Sequence, residues 1–194
     1  MARIADPTLR TVILQAARTI FQQKGYADAR MADIATLADV AVGTIYLYFS
    51  TKEALIVALS DDFHQRILKE SVPKLLAGDF ATAIAASLRT TLGIMREHQD
   101  LLIMVYLQMG LAAFSQPSVA ETTLYNALIA ALTERMQRGE ARAYDPEKVA
   151  LLLLNLVDRA ALTSLLAGDA SMQLLEETLI QFVQHALIPD KTEE

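Results

Sequence analysis

Thr44 and Leu47 are placed by spacing to touch another molecule, not to fill a core. Within residues 42–49, Ile45 and Phe49 lie four apart and share one helical side. At about 100° per residue, Gly43, Thr44 and Leu47 then face the other side, with Tyr48 on the flank. Just upstream, Met31, Ile34, Ala35 and Ala38 make one apolar helical face, and residues 39–41 leave room only for a short connection. Two short helices joined in this way form a helix-turn-helix, whose second helix offers its outward side chains to the DNA major groove. Thr44 would give a hydroxyl bond to phosphate or base, and Leu47 an apolar contact such as a thymine methyl. Arg30 and Ala32 open the preceding helix, where a side chain can reach the same duplex, and Arg3 and Arg10 could track its backbone or minor groove.

Residues for enzymatic chemistry are scattered. His64, His98 and His185 are isolated, no two stand at metal-ligand spacing, and neither a Gly-rich phosphate loop nor a nucleophile elbow occurs. Asp61 and Asp62 are adjacent on a helix, so their carboxyl groups diverge toward solvent. The expectation is a protein that is not an enzyme and uses no metal or cofactor.

Residues 8–56 resemble the N-terminal DNA-binding domain of TetR-family transcriptional regulators. The resemblance rests on Gly25-Tyr26, Ile34-Ala35, Ala38-Asp39-Val40-Ala41, Gly43-Thr44-Ile45-Tyr46-Leu47-Tyr48-Phe49, Lys52 and Leu55. It implies that Tyr46 and Tyr48 offer hydroxyls to phosphate and that Lys52, at the start of a fourth helix, adds a charge-assisted phosphate contact. From spacing alone Tyr46 lies nearer the buried face, which leaves a core tyrosine with an exposed tip as the alternative. Three positions depart from the family pattern: Asp39 stands where the turn usually has Gly, Ala41 where a Ser would cap the recognition helix, and Val42 where a polar residue often approaches phosphate. Ala29-Arg30 also replaces a commonly Thr-rich entry to the first of the two helices. The wording of residues 43–49 is similar to that of members responding to fatty acyl thioesters.

These residues need a scaffold, and the composition describes it. Apolar residues make up 53% of the 194 residues, aromatics only 6%, and Gly and Pro are scarce, which favours an all-α, Ala/Leu-rich protein. So much apolar side chain points to an oligomer interface or a ligand cavity in addition to a core. The net charge of −6 is unevenly spread: residues 1–55 carry +1 and the remainder −7, which keeps negative charge away from the reading head. There is no Cys, a pattern that fits a reducing cytoplasm. No apolar run suggests a signal peptide, and the longest apolar stretches are short or broken by Asn155, Asp158 and Arg159, so no membrane span is expected.

In chain order, a first helix starts at Asp6-Pro7-Thr8, buries Leu9, Val12, Ile13, Ala16, Ala17, Ile20 and Phe21, and ends at Gly25. Ser50 or Thr51 caps a fourth helix carried by Leu55, Ala58, Leu59, Phe63 and Ile67 to about residue 76. Further helices are expected at residues 80–97, 100–114, 118–138, 146–167 and 171–188, and the tail 189–194 is expected to fray. The predicted organisation is therefore an N-terminal three-helix helix-turn-helix DNA-binding domain (residues 1–50) and a C-terminal helical ligand-binding and dimerisation domain (residues 51–194).

In that second domain, Met95, Met104, Tyr106, Met109, Phe114 and Tyr125 suggest an adaptable apolar ligand cavity, with Gln108, His98, Asn155 and Arg159 as polar fixers. One broad face of Val149, Leu152, Leu153, Leu156, Val157, Ala160 and Ala161, and another of Leu174, Leu175, Leu179, Phe182, Val183 and Ala186, would pair two copies as a four-helix bundle. The expected function is a homodimeric, ligand-responsive repressor that binds a palindromic double-stranded DNA operator and is released by a mainly apolar small molecule. Two alternatives stand beside it: a regulator without a small-molecule inducer, and a helical carrier that no longer binds DNA.

Overall fold

The computed structural model describes residues 6–109 and 118–190, and among them are nine α-helices, one 3-10 turn and no strand. They divide into two compact units. One comprises the chain through Asp62 and resumes at Asp100, and the other comprises Phe63–Gln99 and the chain from residue 118 onward.

In the first unit, α1 (Pro7–Asp28) begins where the Asp6 carboxylate accepts the Thr8 N–H at 2.9 Å, with Pro7 in the first turn. Its helical geometry breaks at Gly25, φ 73°, a left-handed value that glycine adopts without Cβ strain. The buried arc runs from Ala16 through Ile13, Ala17 and Ile20 to Phe21 and Leu14, so Leu14 joins the core and Val12, expected there, is exposed. The next helix, α2 (Met31–Leu37), buries Met31, Ile34 and Ala35. Asp39 follows with φ 54°, the one non-glycine residue at positive φ among the described residues, and this left-handed step makes the turn. The chain then enters α3 (Val42–Tyr48), which turns 104° from α2, a helix-turn-helix crossing.

α4 (Lys52–Glu70) is capped by Thr51, whose Oγ1 accepts the Ala54 N–H at 3.1 Å. It stops earlier than its apolar pattern predicts. Pro73 has no N–H for the Lys69 carbonyl and its ring would clash there, so the chain tightens into a 3-10 turn over Val72–Leu76. The first unit also holds α6 (Gln99–Met109) from Asp100 onward, where Arg18 grips Asp100 through two bonds of 3.0 and 3.3 Å and Gln22 adds a third of 2.5 Å. Burial acts to raise the Asp100 pKa, but Arg18 and Gln22 prevail and hold the carboxyl below its ordinary value. The expected continuation of α6 to residue 114 lies outside the described residues.

The second unit packs α5 (Phe80–Glu97), α7 (Val119–Gln137), α8 (Pro146–Ala167) and α9 (Asp169–Leu187) with the 3-10 turn. The starts of α5, α7 and α8 are set by side-chain caps from Asp79, Ser118 and Asp145, a signal legible in the sequence. α8 is long and apolar enough to meet the length and composition of a bilayer span, a test that the core helix of a soluble protein also meets. Its apolar surface has another use: Val149, Ala150, Val157 and Ala161 are buried in this unit, whereas Leu151, Leu152 and Leu156 stay exposed. At its other end the chain is fastened by Arg142, which donates its N–H to Leu187 at 2.7 Å and its Nε–H to Ile188 at 2.9 Å.

One side chain holds the base of this unit. Arg135 of α7 is only 1% exposed, and its guanidinium donates to the carbonyls of Leu75 (2.8 Å), Gly78 (3.0 Å) and Ala77 (3.3 Å), with Glu140 also bound and the Phe80 ring beneath it. The Leu75 carbonyl belongs to the turn that Pro73 forces and those of Ala77 and Gly78 follow it, where no α-helix supplies N–H donors.

Candidate nucleic-acid interface and ligand cavity

α3 stands on Ile45, which is fully buried, and on Phe49 just beyond its end. The opposite side presents Leu47, 77% exposed, beside half-exposed Thr44 and exposed Gly43. Tyr46 is 52% exposed, so it belongs to the surface and not to the buried side that its spacing suggested. The Tyr48 hydroxyl accepts the Asp6 N–H at 2.8 Å, which pins the start of α1 to the end of α3 and leaves the hydroxyl proton to donate outward. Ala41 supplies no cap to α3, the loss anticipated from the missing Ser, which costs about 1 kcal/mol.

Arg30, Tyr46 and Lys52 line one open groove of about 420 Å³ together with Ser50 and Thr51. Two cations and three hydroxyls around a shallow groove offer donors to a phosphate chain, beside the Glu53 carboxylate that the Tyr26 hydroxyl engages. Arg30 is exposed, and its guanidinium has no ion pair among the described residues. Its backbone N–H is held by the Asp33 carboxylate at 3.2 Å, which also meets Lys24 at 2.9 Å. The Lys24 contact keeps the Asp33 carboxyl below its ordinary pKa.

Lys52 is more committed than the resemblance implies. Its ammonium donates to the Tyr26 and Ala27 carbonyls at 2.7 and 3.2 Å and sits 4.5 Å over the Tyr26 ring. The Tyr26 hydroxyl in turn donates to Glu53 at 2.5 Å, and burial together with that carboxylate pushes the phenol up to about 12. Lys52 therefore ties the end of α1 to α4, with one proton left for a phosphate. Of the N-terminal arginines, Arg10 pairs with Asp62 at 3.3 Å and lies over the Phe49 ring, while Arg3 lies outside the described residues.

The cavity of the second unit is not where the methionine and aromatic pattern placed it. It measures about 100 Å³, and its wall includes His64 and Ile67 of α4, Ser87 and Thr91 of α5, Glu121, Leu124 and Leu128 of α7, and Leu153, Val157 and Asp158 of α8. None of Met95, Met104, Tyr106, Tyr125, Asn155 or Arg159 lines it. Met95 is core, and Met104 and Tyr106 sit on α6 in the first unit. Tyr125 donates its hydroxyl to the Glu147 carbonyl, and Asn155 bonds back to Leu151 on an exposed face. His98 bonds the Ile94 carbonyl and packs on Phe63. Phe114 and the side chains of Gln108 and Met109 lie outside the described residues.

Asp158 and Glu121 had a legible signal that was passed over. Asp158 stands next to buried Val157 and Glu121 three before buried Leu124, so each acid borders a buried apolar position. Burial, with a smaller contribution from the Glu121 charge, pushes the Asp158 carboxyl up to about 7.

Comparison with known proteins points one way. The family model described as bacterial regulatory proteins, tetR family, matches residues 13–59. Among curated proteins, the chain is 36% identical over 95 residues to the HTH-type transcriptional regulator YvdT of Bacillus subtilis, covering 48% of this chain and 49% of that one. The match therefore spans about half the length of that relative. It is 24% identical over 190 residues to YdgC of the same organism, an HTH-type transcriptional regulator, covering 93% of each. Of solved structures, FadR of Bacillus subtilis in complex with stearoyl-CoA superposes with a TM-score of 0.69 at 21% identity, over 89% of this chain and 96% of that one. A transcriptional regulator of Saccharomonospora viridis in complex with choline gives 0.72 at 18%, over 95% and 100%. At these identities the structural likeness speaks for the fold.

Proposed function

The chain is a member of the TetR family of transcriptional regulators, and from that premise we propose that it is a ligand-responsive repressor that binds a palindromic operator as a homodimer and is released by a mainly apolar small molecule. The observation that carries the DNA-binding part is α3 itself, with Ile45 buried behind it and Leu47 outward. Thr44 and Leu47 would enter the major groove while Arg30, Tyr46, Tyr48 and Lys52 meet phosphates on either side. A regulator acting on a bacterial chromosome works in the cytoplasm.

Dimerisation is supported by apolar surface that the second unit leaves uncovered. Leu152 and Leu156 of α8 and Phe182 of α9 line one groove of about 400 Å³, and Leu152 and Phe182 are 69% and 62% exposed. Val157, Ala161, Leu179 and Val183, which the sequence counted with the same faces, are buried within the unit and leave a narrower ridge for a partner. A patch of large aliphatic and aromatic side chains on two adjacent helices suits an isologous four-helix contact. Leu152→Glu is expected to give a monomer in sedimentation and to lose operator binding, because each half-site would be bound alone.

Ligand response would run through helices shared by both units. α4 is continuous across the division, and the first turn of α6 is held by Arg18 and Gln22 of α1. The two structural neighbours hold an acyl thioester and a quaternary ammonium, so this fold accommodates ligands of opposite charge.

Selection of bound fragments from the source genome tests the proposal. An enriched palindrome with half-sites about one helical turn apart is the expected result. Leu47→Ala should change the preferred base at one position per half-site, by about 1 kcal/mol of discrimination, while leaving the salt dependence intact. No enrichment, with a hydrophobic ligand co-purifying, would instead support the carrier.

A further inference from the structure

We propose that the cavity of the second unit takes an amphiphilic cation: a short apolar body bearing one ammonium-type positive charge, held between Asp158 of α8 and Glu121 of α7. This rests on the second unit being the sensor and names the chemical class that the sensor admits.

The wall of the cavity is mostly aliphatic, contributed by residues such as Ile67, Leu124, Leu128, Leu153 and Val157. Among the described residues its ionisable members are Asp158, Glu121 and His64, with no Lys or Arg. Among the described residues, the Asp158 carboxyl meets neither a cation nor a hydrogen-bond donor. Asp158 is exposed by its total surface, yet it lines the cavity and its carboxyl has lost enough hydration to resist ionisation. Two carboxyl groups that oppose each other's charge in an apolar enclosure are relieved by a proton or by a cation, and by nothing aliphatic.

An alkyl alcohol would fill the apolar wall and leave both acids unsatisfied, while a carboxylate would add a third negative charge to a site with no arginine or lysine among its described lining residues. A quaternary ammonium carries a charge spread over methyl groups, so it loses little hydration on entering and meets Asp158 without needing a donor geometry. Ser87 and Thr91 of α5 supply weakly polar surface beside it. With a volume of about 100 Å³ the cavity favours a short chain.

The test uses the full-length protein and isothermal titration with three probes of matched chain length: n-hexyltrimethylammonium, hexanol and hexanoate. The cation is expected to bind at least about tenfold more tightly than the alcohol, with hexanoate weakest. Asp158→Asn should weaken the cation at least about tenfold and leave the alcohol unchanged, and Glu121→Gln should weaken it in the same direction by less. Should the first variant fail to fold, the second carries the test. Equal binding of cation and alcohol, preference for hexanoate, binding of none of the three, or indifference of the cation to both substitutions overturns the proposal.

Release of the selected operator separates this from the regulator reading. A cation that binds through Asp158 but leaves the DNA bound keeps the ligand class and overturns the sensor role. Release by hexanoate or hexanol without release by the cation keeps the sensor role and overturns the ligand class.

Discussion

Arg135→Met is expected to lower the stability of the protein by about 3 kcal/mol, because it removes the donors of one buried carbonyl, Leu75, and of two part-buried ones, Ala77 and Gly78, and replaces them with nothing. The wild-type guanidinium reaches Leu75, Ala77 and Gly78 at once, a fan that requires a planar, multiply donating head. Methionine matches the volume of the aliphatic stem, so the loss reports hydrogen bonding and not a cavity. For a chain of this size the melting temperature should fall by about 10 °C, with a matching shift in urea midpoint. Arg135→Lys should recover only part of it, since one ammonium cannot serve the three carbonyls in that geometry. Glu140→Gln should cost under about 1 kcal/mol, because Glu140 is partly exposed and solvent replaces much of the pairing. If Arg135→Met melted with the wild type, the assignment of Arg135 as the anchor of the 3-10 turn would be wrong.

Asp158→Asn is expected to make the protein more stable at neutral and alkaline pH and to leave it unchanged near pH 4. The sign follows from the two states. Unfolded, the carboxyl titrates near its ordinary value of about 4. Folded, burial and Glu121 raise it to about 7, so the folded state holds the proton more tightly. The stability tied to that proton is present in full below about pH 4 and is lost as pH rises through about 7. Asparagine keeps the shape and cannot ionise, so the pH dependence should flatten in the variant. Glu121 from α7 and His64 from α4 are the other titratable groups of the wall, and Glu121→Gln should shift the wild-type transition to lower pH without abolishing it. Melting curves from pH 4 to pH 8 decide the matter: parallel curves for wild type and Asp158→Asn would place the carboxyl in bulk-like solvent.

Much of the fold was readable from the residues alone. The extents of α5 and α8 and the outward setting of Thr44 and Leu47 follow from apolar periodicity and from capping residues, signals that act within a few positions of the chain. The premature end of α4 was equally local, since Pro73 stands in the sequence, but the apolar stripe of Leu55 to Ile67 suggested a longer run than the backbone allows. The ligand residues were another matter. Methionines and aromatics mark adaptable packing, and Met95 packs into the core while Met104 and Tyr106 belong to the first unit, because which helices enclose a cavity is decided by long-range contacts. Lys52 shows the same limit: its position beside the reading helix is local, whereas its grip on Tyr26 and Ala27 depends on where α1 ends.

The division between the two units falls inside α4, between Asp62 and Phe63, where the chain has no Gly or Pro and the helix runs unbroken from Lys52 to Glu70. Consecutive main-chain bonds of the α-helical kind run through that place, with no residue there that removes a donor or favours a break. His64 and Ile67 of α4 line the cavity of the second unit, while Lys52 at the start of the same helix holds the Tyr26 and Ala27 carbonyls of the first, so one helix carries a residue of each site.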